Sequence, residues 1–446
     1  MEVKIGLEIH IELDTETKLF CSCPKVYGGA PNKYVCPVCL GYPGVLPSLN
    51  EKALEYAIKV AKIFNARINE VSLFERKNYF YPDLPKGYQI TQYFIPLATD
   101  GEFENVRIER IVLEEESAKS LHKDGKVFLD FNRAGIPLVE ITTYPDIKSP
   151  KQARVFLEKL RKVLIFLGVS RCDMEKGELR VDVNISVGGG ERVEIKNLNS
   201  FKAVEDALNF EYARQVEIIK KGEKVLKETR MWDDIEKLTK PMRGKEIEAE
   251  YRYFPEPDLL FLKVEKDFID NLKIPKMPWD YERFFKKEGV PAKIIESLLE
   301  NFEILKIVEK LIDEIKDVKL VSNFIVSEYL RYFKEGKTLP FEDLKFILME
   351  LNKNKINLNQ AKEILWNCFN KNKSVKEVYK EIISKIGEES LDSVIEEVLK
   401  SFSEEVKRYK EGKKGLLNFF LGQVMKRTKG KFPPAEVKKV LEEKLK

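Results

Sequence analysis

The pattern of apolar residues changes near residue 280 and divides the chain into two kinds of structure. Before this point, short segments alternate between apolar and polar residues and are separated by turns rich in Pro and Gly. After it, apolar residues recur at helical spacing. Alternation with period two is typical of strands with one buried face, whereas the longer period is typical of packed helices. The sequence therefore predicts an α+β domain followed by helical domains.

Proline and polar residues mark two expected domain boundaries. The first lies in the Pro-rich stretch from Ile274 to Trp279, and the second lies in the polar stretch from Asn370 to Ser374. A chain of 446 residues is long enough for two or three domains, each with its own core. We predict domains over residues 1–280, 281–373 and 374–446.

Two strands of the first domain are predicted from strict alternation. From Val3 to Leu13 every odd-numbered residue is apolar, so Glu8 and His10 share the polar side. The stretch from Leu179 to Val187 has the same pattern, and a run of three glycines then turns the chain back. This predicts a hairpin that places Asp182 and Glu194 on the same side of the sheet.

Two helices are predicted in the same domain. Ser149 is expected to cap the first helix in a capping box with Gln152, and Gly168 is expected to end it. The second is expected to run from Ser200 to about Lys221. Both helices are interpreted as cover for the sheet.

Four cysteines form the motif Cys21-x-Cys23 followed by Cys36-x-x-Cys39. Four thiolates in two tight pairs match the ligand set of a structural tetrahedral zinc. Four reduced core cysteines are the alternative, but the paired spacing favours zinc.

Carboxylates on the predicted strands offer a second candidate site. The polar positions are Glu8, His10, Asp182 and Glu194, with Glu140 and the run Glu114–Glu116 on neighbouring extended segments. Converging carboxylates repel one another unless a cation neutralises them. Oxygen ligands with one imidazole suit magnesium or manganese. By pattern alone, the solvated face of an antiparallel sheet is the preferred interpretation.

A run of aromatic and basic residues extends from Arg76 to Gln89. Lys77 and Lys86 suit phosphate groups, and tyrosines in the run suit stacking on a base. A tyrosine-rich packing loop explains the run equally well. No P-loop motif occurs, so any nucleotide would be bound by a different structural motif.

The distribution of charge is uneven. The chain has a net charge of +4, yet residues 403–446 alone carry 13 Lys/Arg and 6 Asp/Glu, a net charge of +7. Such a tail attracts polyanions such as RNA, although a solvated Lys-rich helical surface is an equally good interpretation.

No apolar run is long enough to span a membrane and no secretory leader is visible, so we expect a cytoplasmic location.

Several ordered segments resemble the B-subunit family of the tRNA-dependent amidotransferases. They are Gly6–His10, Cys36–Pro47, Arg76–Gln89, Leu113–Glu115, Asp130–Leu138, Glu194–Phe201, Tyr251–Leu259 and Gly422–Lys426. Because they keep the same order along essentially the whole chain, they are together far more specific than any single spacing.

The resemblance implies a glutamine-synthetase-like cradle domain with an antiparallel sheet, an all-α helical domain and a small helical tail domain that binds tRNA. It implies ATP-dependent phosphorylation of the side-chain carboxylate of Asp or Glu on misacylated Asp-tRNA(Asn) or Glu-tRNA(Gln). Ammonia from a glutaminase A subunit would then displace phosphate, and a small C subunit would complete a heterotrimer.

The resemblance also changes the interpretation of the polar strand positions, which become an active site. The implied catalytic residues are Glu8, His10, Glu115, Asp182 and Glu194, which are also the implied magnesium ligands. Glu140 is a further acidic neighbour that we also expect to bind magnesium. Lys77 is the implied phosphate contact, and we expect Tyr79, Tyr81 and Lys86 of the aromatic and basic run to complete the ATP-binding set. On their spacing, Cys21, Cys23, Cys36 and Cys39 remain the expected ligands of a structural zinc. Replacement of Glu115 by Ala is expected to abolish amidation.

Two other functions remain compatible with the residues. A non-catalytic zinc-containing RNA-binding protein would need the cysteines and the basic tail but not the carboxylates. A free-standing carboxylate–amine ligase would act on a small molecule without tRNA, which leaves the basic tail unexplained.

Overall fold

The computed structural model describes residues 1–242, 251–387, 391–428, 432 and 434–445. The chain forms two compact units, Met1–Pro278 and Trp279–Lys446. Strands and helices are mixed in the first unit, whereas the described residues of the second unit form helices. The predicted α+β class is therefore confirmed.

The first unit is built on a large sheet with three small sheets. In chain order its strands are β1 (Val3–Glu12), β2 (Arg67–Ile68), β3 (Val71–Ser72), β4 (Glu75–Asn78), β5 (Tyr88–Thr91), β6 (Ala98–Phe103), β7 (Val106–Glu115), β8 (Lys119–Lys123), β9 (Lys126–Asp130), β10 (Pro137–Thr143), β11 (Leu179–Val187), β12 (Val193–Leu198), β13 (Glu228–Asp233), β14 (Leu238–Pro241), β15 (Phe254–Pro255) and β16 (Leu262–Lys263).

Nine of these strands form one sheet in the order β14-β13-β12-β11-β1-β10-β7-β6-β2. Neighbours are antiparallel except for the parallel pair β12–β13. The small sheets are β15-β4-β5, β16-β3 and β8-β9. The predicted hairpin of β11 and β12 is present, with Asn184 opposite Glu194.

The described residues of the first unit form four helices. They are α1 (Glu51–Ile63), α2 (Pro150–Leu167), α3 (Phe201–Lys220) and α4 (Lys266–Asn271). The odd-numbered residues of β1 are at most 8% exposed. Helix α1 packs on β7, α3 packs on β11 and β12, and α2 packs on α3. Each large apolar side chain buried in this layer contributes about 1.5–3 kcal/mol.

The predicted caps of α2 and α3 are confirmed. Ser149 accepts a hydrogen bond from the Gln152 amide at 3.1 Å, and Gly168 ends α2 with φ of 71°. The Gln152 side chain accepts from the Lys148 amide, one residue before the position that a capping box uses. Ser200 accepts from the Ala203 amide at 3.0 Å and starts α3.

The second unit contains a series of helices. In chain order they are α5 (Pro278–Lys287), α6 (Ala292–Glu300), α7 (Phe302–Ile315), α8 (Val318–Phe324), a π-helical turn (Ile325–Tyr329), α9 (Leu330–Lys334), α10 (Phe341–Asn352), α11 (Leu358–Lys371), α12 (Val375–Gly387), α13 (Leu391–Ser401), α14 (Ser403–Lys410), α15 (Leu416–Arg427) and α16 (Pro434–Lys444).

The last four helices enclose a separate apolar cluster, which begins at Leu391 and includes Phe420 and Leu441. Helix α12 instead packs on α11, and its Tyr379 hydroxyl donates to Glu350 of α10. The proposed domain boundary at residue 374 stays a prediction. Three basic residues of the tail, Lys429, Lys431 and Lys446, lie outside the described residues.

Candidate functional site

The register of β1 brings most of the predicted site residues onto one side of the large sheet. Strand β1 lies between β10 and β11, so Glu8 faces Asp182 on one side and His10 faces Glu140 on the other. We define the acidic face as Glu8, His10, Glu114, Glu140, Asp182 and Glu194. Its ligand atoms form two groups, each with all members within 4.8 Å of one another.

The first group contains Glu8, Asp182 and Glu194. Burial and the charges of Glu140, Glu194 and Asp182 raise the pKa of Glu8. The Lys196 ammonium bonds to Asp182 and lies 3.0 Å from Glu194, so it neutralises part of the negative charge. This lysine lies two residues from Glu194 on the same side of β12, and alternation alone could have identified it.

An unpaired oxygen shows what this group can bind. Asn184 donates from Nδ2 to Glu8 at 3.2 Å, which fixes the orientation of its amide. Its Oδ1 is buried and has no hydrogen-bond donor among the described residues. A buried acceptor beside three carboxylates fits a cation with oxygen ligands.

The second group contains His10, Glu114 and Glu140. The His10 Nε2 lies 3.5 Å from Glu114 and 3.4 Å from Glu140. Burial lowers the pKa of His10, but the hydrogen bond to Glu140 and the charges of both glutamates outweigh burial and raise it to about 9. Burial raises the pKa of Glu140, but His10, Arg110 and Lys77 lower it to about 2.

The composition of this second group suits a divalent cation. Two carboxylates and one imidazole match the ligand preference of magnesium or manganese. The charges of both glutamates favour the protonated form of His10, which offsets part of their repulsion.

Glu115 lies apart from the acidic face. Adjacent residues of a strand point to opposite faces, so Glu114 reaches His10 and Glu115 does not. The Glu115 carboxylate instead bonds to Lys86 and accepts from the Ile90 amide at 3.0 Å. The structure therefore brings Glu114, rather than the predicted Glu115, together with the other candidate ligands.

The predicted nucleotide-binding residues are divided in the same way. Lys77 lies on the side of the acidic face, where its charge acts on Glu114 and Glu140. Its ammonium is 4.9 Å from the Tyr251 ring centre. Lys86 belongs with Glu115 on the opposite side.

The two predicted tyrosines differ in their surroundings. Tyr79 is close enough to Glu114 for burial and that charge to raise the pKa of its hydroxyl. Tyr81 is 61% exposed, with its ring 6.1 Å from that of Tyr79. Tyr81 therefore presents an exposed ring, whereas the Tyr79 ring is partly buried.

The four predicted zinc ligands converge. The sulfur atoms of Cys21, Cys23, Cys36 and Cys39 lie within 4.8 Å of one another. A tetrahedral zinc with Zn–S bonds of about 2.3 Å places sulfurs about 3.8 Å apart, so this set fits the ion.

The environment of Cys39 favours its thiolate. A hydrogen bond from Cys21, with further contributions from the Cys36 amide and the Lys18 ammonium, lowers the pKa of Cys39 to about 4. A cavity of about 210 Å³ adjoins the cysteines and is lined in part by Lys18, Lys86 and Glu115.

The structure contains a further polar residue that the sequence analysis did not single out. Arg110 lies on β7, and its Nη2 is 3.8 Å from Glu140. Among the described residues, no helix is both long enough and apolar enough to cross a membrane.

Comparisons with known proteins identify the family of this chain. The GatB/GatE catalytic domain matches residues 3–270, and the GatB domain matches residues 306–445. A protein of Clostridium kluyveri is 43% identical, over 100% of this chain and 99% of its own length. A protein of Thermodesulfovibrio yellowstonii is 44% identical over 99% and 98% of the two chains, and one of Thermosipho melanesiensis is 45% identical over 98% and 97%.

Each of these three relatives is named as the B subunit of an aspartyl/glutamyl-tRNA(Asn/Gln) amidotransferase. Both matched domains are in the expected order, and the relatives align over nearly their full lengths. This chain therefore belongs to the GatB/GatE family.

Proposed function

We propose that this chain is the B subunit of a tRNA-dependent amidotransferase acting on misacylated Asp-tRNA(Asn), Glu-tRNA(Gln) or both. Its reaction is ATP-dependent activation of the side-chain carboxylate, followed by amide formation with ammonia. The acidic face carries this proposal, because two adjacent groups of cation ligands with Lys77 beside them suit phosphoryl transfer. The names of the relatives support the tRNA substrate.

We assign magnesium ligation to Glu8, Asp182 and Glu194 in one group and to His10, Glu114 and Glu140 in the other. Bound magnesium would reduce the repulsion between phosphate and carboxylate oxygens. Glu114 takes the place proposed for Glu115, because it shares the acidic face with His10. Loss of activity in a Glu115 variant would then be attributed to loss of the ion pair between Glu115 and Lys86.

We assign nucleotide contacts to Lys77, Tyr79 and Tyr81. ATP, when bound, supplies the phosphoryl group that makes the carboxylate reactive. Lys77 is suited to orient a phosphate, and the two tyrosine rings are suited to contact a base. Lys86 is left out of this set because its ammonium is paired with Glu115.

Amide formation requires ammonia and an acceptor for its extra proton. The carboxylates of the acidic face are suited to hold ammonium and to take that proton. We propose that a glutaminase A subunit supplies the ammonia and that a small C subunit holds the assembly together in the cytoplasm. We also propose that the first unit adopts a glutamine-synthetase-like cradle fold.

The basic tail is proposed to contact tRNA. Exposed Lys and Arg side chains on α14, α15 and α16 are suited to bind phosphate groups. These helices have their own apolar cluster, so they can present this charge as a unit.

The cysteine cluster is proposed to hold one structural zinc. Elemental analysis of the purified protein is expected to find one zinc per chain, and none in Cys36→Ser/Cys39→Ser. The control Cys368→Ser is expected to keep its zinc, because that cysteine lies outside the cluster. An equal zinc content in all three proteins would contradict the proposal.

Reconstitution tests the function directly. The chain would be combined with the two partner subunits, glutamine, ATP and either Asp-tRNA(Asn) or Glu-tRNA(Gln). Amidated tRNA should form only with ATP, and free Asp or Glu should not replace the charged tRNA. Amide formation without tRNA would indicate the small-molecule ligase, and tRNA binding without ATP-dependent chemistry would indicate the non-catalytic RNA-binding protein.

A further inference from the structure

Arg110 occupies a central position beside the acidic face. It pairs with Thr142 in the register of β7 and β10, two residues along β10 from Glu140. Its Nη2 lies 3.8 Å from a Glu140 oxygen, and its guanidinium carbon is 5.7 Å from the Tyr93 ring centre. The guanidinium is thus held near the candidate cation ligands.

One atom of Arg110 has no acceptor. The Nε–H is buried and meets no hydrogen-bond partner in residues 1–242, 251–387 and the described parts of the tail. Leaving a buried charged donor unsatisfied destabilises a protein, and such groups in native folds call for an explanation. An acceptor oxygen supplied by a ligand removes this cost.

Arg107 on the same strand has an acceptor for its Nε donor. Its Nε donates to Asp146 at 2.8 Å, and its Nη2 donates to the other oxygen of that carboxylate at 2.8 Å. Arg107 therefore satisfies Nε and Nη2 together within the chain. Arg110 makes a longer contact with Glu140 and lies over the Tyr93 ring, and its Nε has no hydrogen-bond acceptor among the described residues.

We propose that Arg110 is a catalytic residue that donates its Nε–H to an oxygen of the phosphoryl group during transfer. A guanidinium suits phosphate because its donors lie in a fixed fork and its charge persists at any working pH. Glu114 and Glu140 would hold a divalent cation together with His10, and a cation bound there would offset their repulsion of the anion. This assignment rests on the proposed function and extends it to the group that stabilises the transferring phosphate.

The step involves no oxidation. A side-chain carboxylate oxygen forms a bond to the γ-phosphorus as the bond from that phosphorus to the β,γ-bridging oxygen breaks, and ADP leaves with that electron pair. Arg110 keeps its proton throughout and stabilises charge on a non-bridging oxygen.

Arg110→Lys is the central test, because lysine keeps a positive charge near Glu140 but lacks the Nε donor. In the reconstituted complex we expect kcat for tRNA-dependent ATP hydrolysis to fall about 100-fold or more. The KM for charged tRNA and the glutaminase rate should stay within about twofold, since both depend on other contacts. Arg107→Lys is the matched control and should keep the wild-type kcat.

Two further measurements separate donation from a structural role. Isothermal titration with magnesium and the ATP analogue AMPPNP should give a Kd raised about tenfold in Arg110→Lys, with an unchanged melting temperature. In Arg110→Ala, added methylguanidinium should restore part of the lost kcat, whereas methylammonium should not.

Wild-type kcat and AMPPNP affinity in Arg110→Lys would overturn the assignment and leave Arg110 as a counter-charge for Glu140. An effect confined to the KM for tRNA would overturn it as well. If the wild-type complex forms no amide but its AMPPNP affinity still depends on Arg110, the proposed function fails while the phosphoryl contact stands.

Discussion

The acidic face and the basic tail both concentrate charge of one sign, but they hold it in different ways. On the acidic face, strand register fixes side chains such as His10 and Glu140 at 3.4 Å, and each changes the pKa of the other. On the tail, residues such as Lys438 and Lys439 project from a helix into solvent.

This difference predicts two kinds of response to substitution. A desolvated cluster acts as a unit, because removal of one charge changes the energy of all its neighbours. Exposed charges are screened and act mainly through their sum. A single substitution on the acidic face should therefore have a large effect on activity. Substitutions in the tail should each have a small effect on tRNA affinity, and that effect should depend on the salt concentration.

The largest effect is expected for Glu114→Gln. The change keeps the shape of the side chain and removes one ligand charge beside His10, so kcat for amidation should fall about 100-fold or more. Steady-state amidation with reconstituted subunits measures this effect. Glu109→Gln, an exposed glutamate on the same strand, is the control. A wild-type rate in Glu114→Gln would remove the acidic face from the reaction.

Removal of the tail should have the next largest effect. A chain ending at Gly387 lacks the apolar cluster of α13 to α16 and its basic surface but keeps the contacts of α12 with α10 and α11. The KM for charged tRNA should rise roughly 10- to 100-fold through lost phosphate contacts, while AMPPNP affinity stays unchanged. An unchanged KM would show that the tail charge is only a solvated surface.

Partial neutralisation of the tail should give a smaller, graded effect. For Lys438→Gln/Lys439→Gln, the negative slope of log tRNA affinity against log salt should become shallower, by about 1.4 to 1.8. Filter binding over a series of KCl concentrations gives this slope. Lys286→Gln/Lys287→Gln changes two exposed lysines on α5 and serves as the control. Equal slopes for the two variants would contradict a specific role of the tail.

The smallest effect concerns the pH dependence of stability in the metal-free protein. The pKa of His10 is raised from 6.5 to about 9, so its ion pairs stabilise the fold fully below pH 6.5 and progressively less as pH rises through 9. The melting temperature of His10→Gln should therefore be lower than that of the wild type at pH 6.5.

This difference should shrink by pH 9.5, with each kcal/mol worth roughly 1–2 °C for a protein of this size. Melting curves with a chelator present measure it. His122→Gln, at the exposed second histidine, should show no such trend. A constant difference for His10→Gln across this pH range would contradict the ion-pair assignment.

Local patterns were enough to predict several parts of the fold. The alternation in β1, the β11–β12 hairpin and the caps Ser149 and Ser200 were all predictable, because each depends on neighbours a few residues apart. Helix α1 was not predicted, although Asn50 caps it by accepting from the Lys52 and Ala53 amides.

The sequence by itself determined the α+β class, the cysteine cluster and the side of β1 that carries Glu8 and His10. It did not determine which glutamate of Glu114–Glu116 joins them. The preceding residues Ile111, Val112 and Leu113 are all buried, so no alternation sets the phase of this strand.

Only the pairing of β7 with β10 decided that Glu114 joins His10 while Glu115 meets Lys86. The physical reason is that local pattern reports which side of a strand is buried, whereas a site is assembled from contacts between strands distant in sequence. The acidic face is therefore a property of the register of β1, β7, β10 and β11, and the sequence pattern supplies only its components.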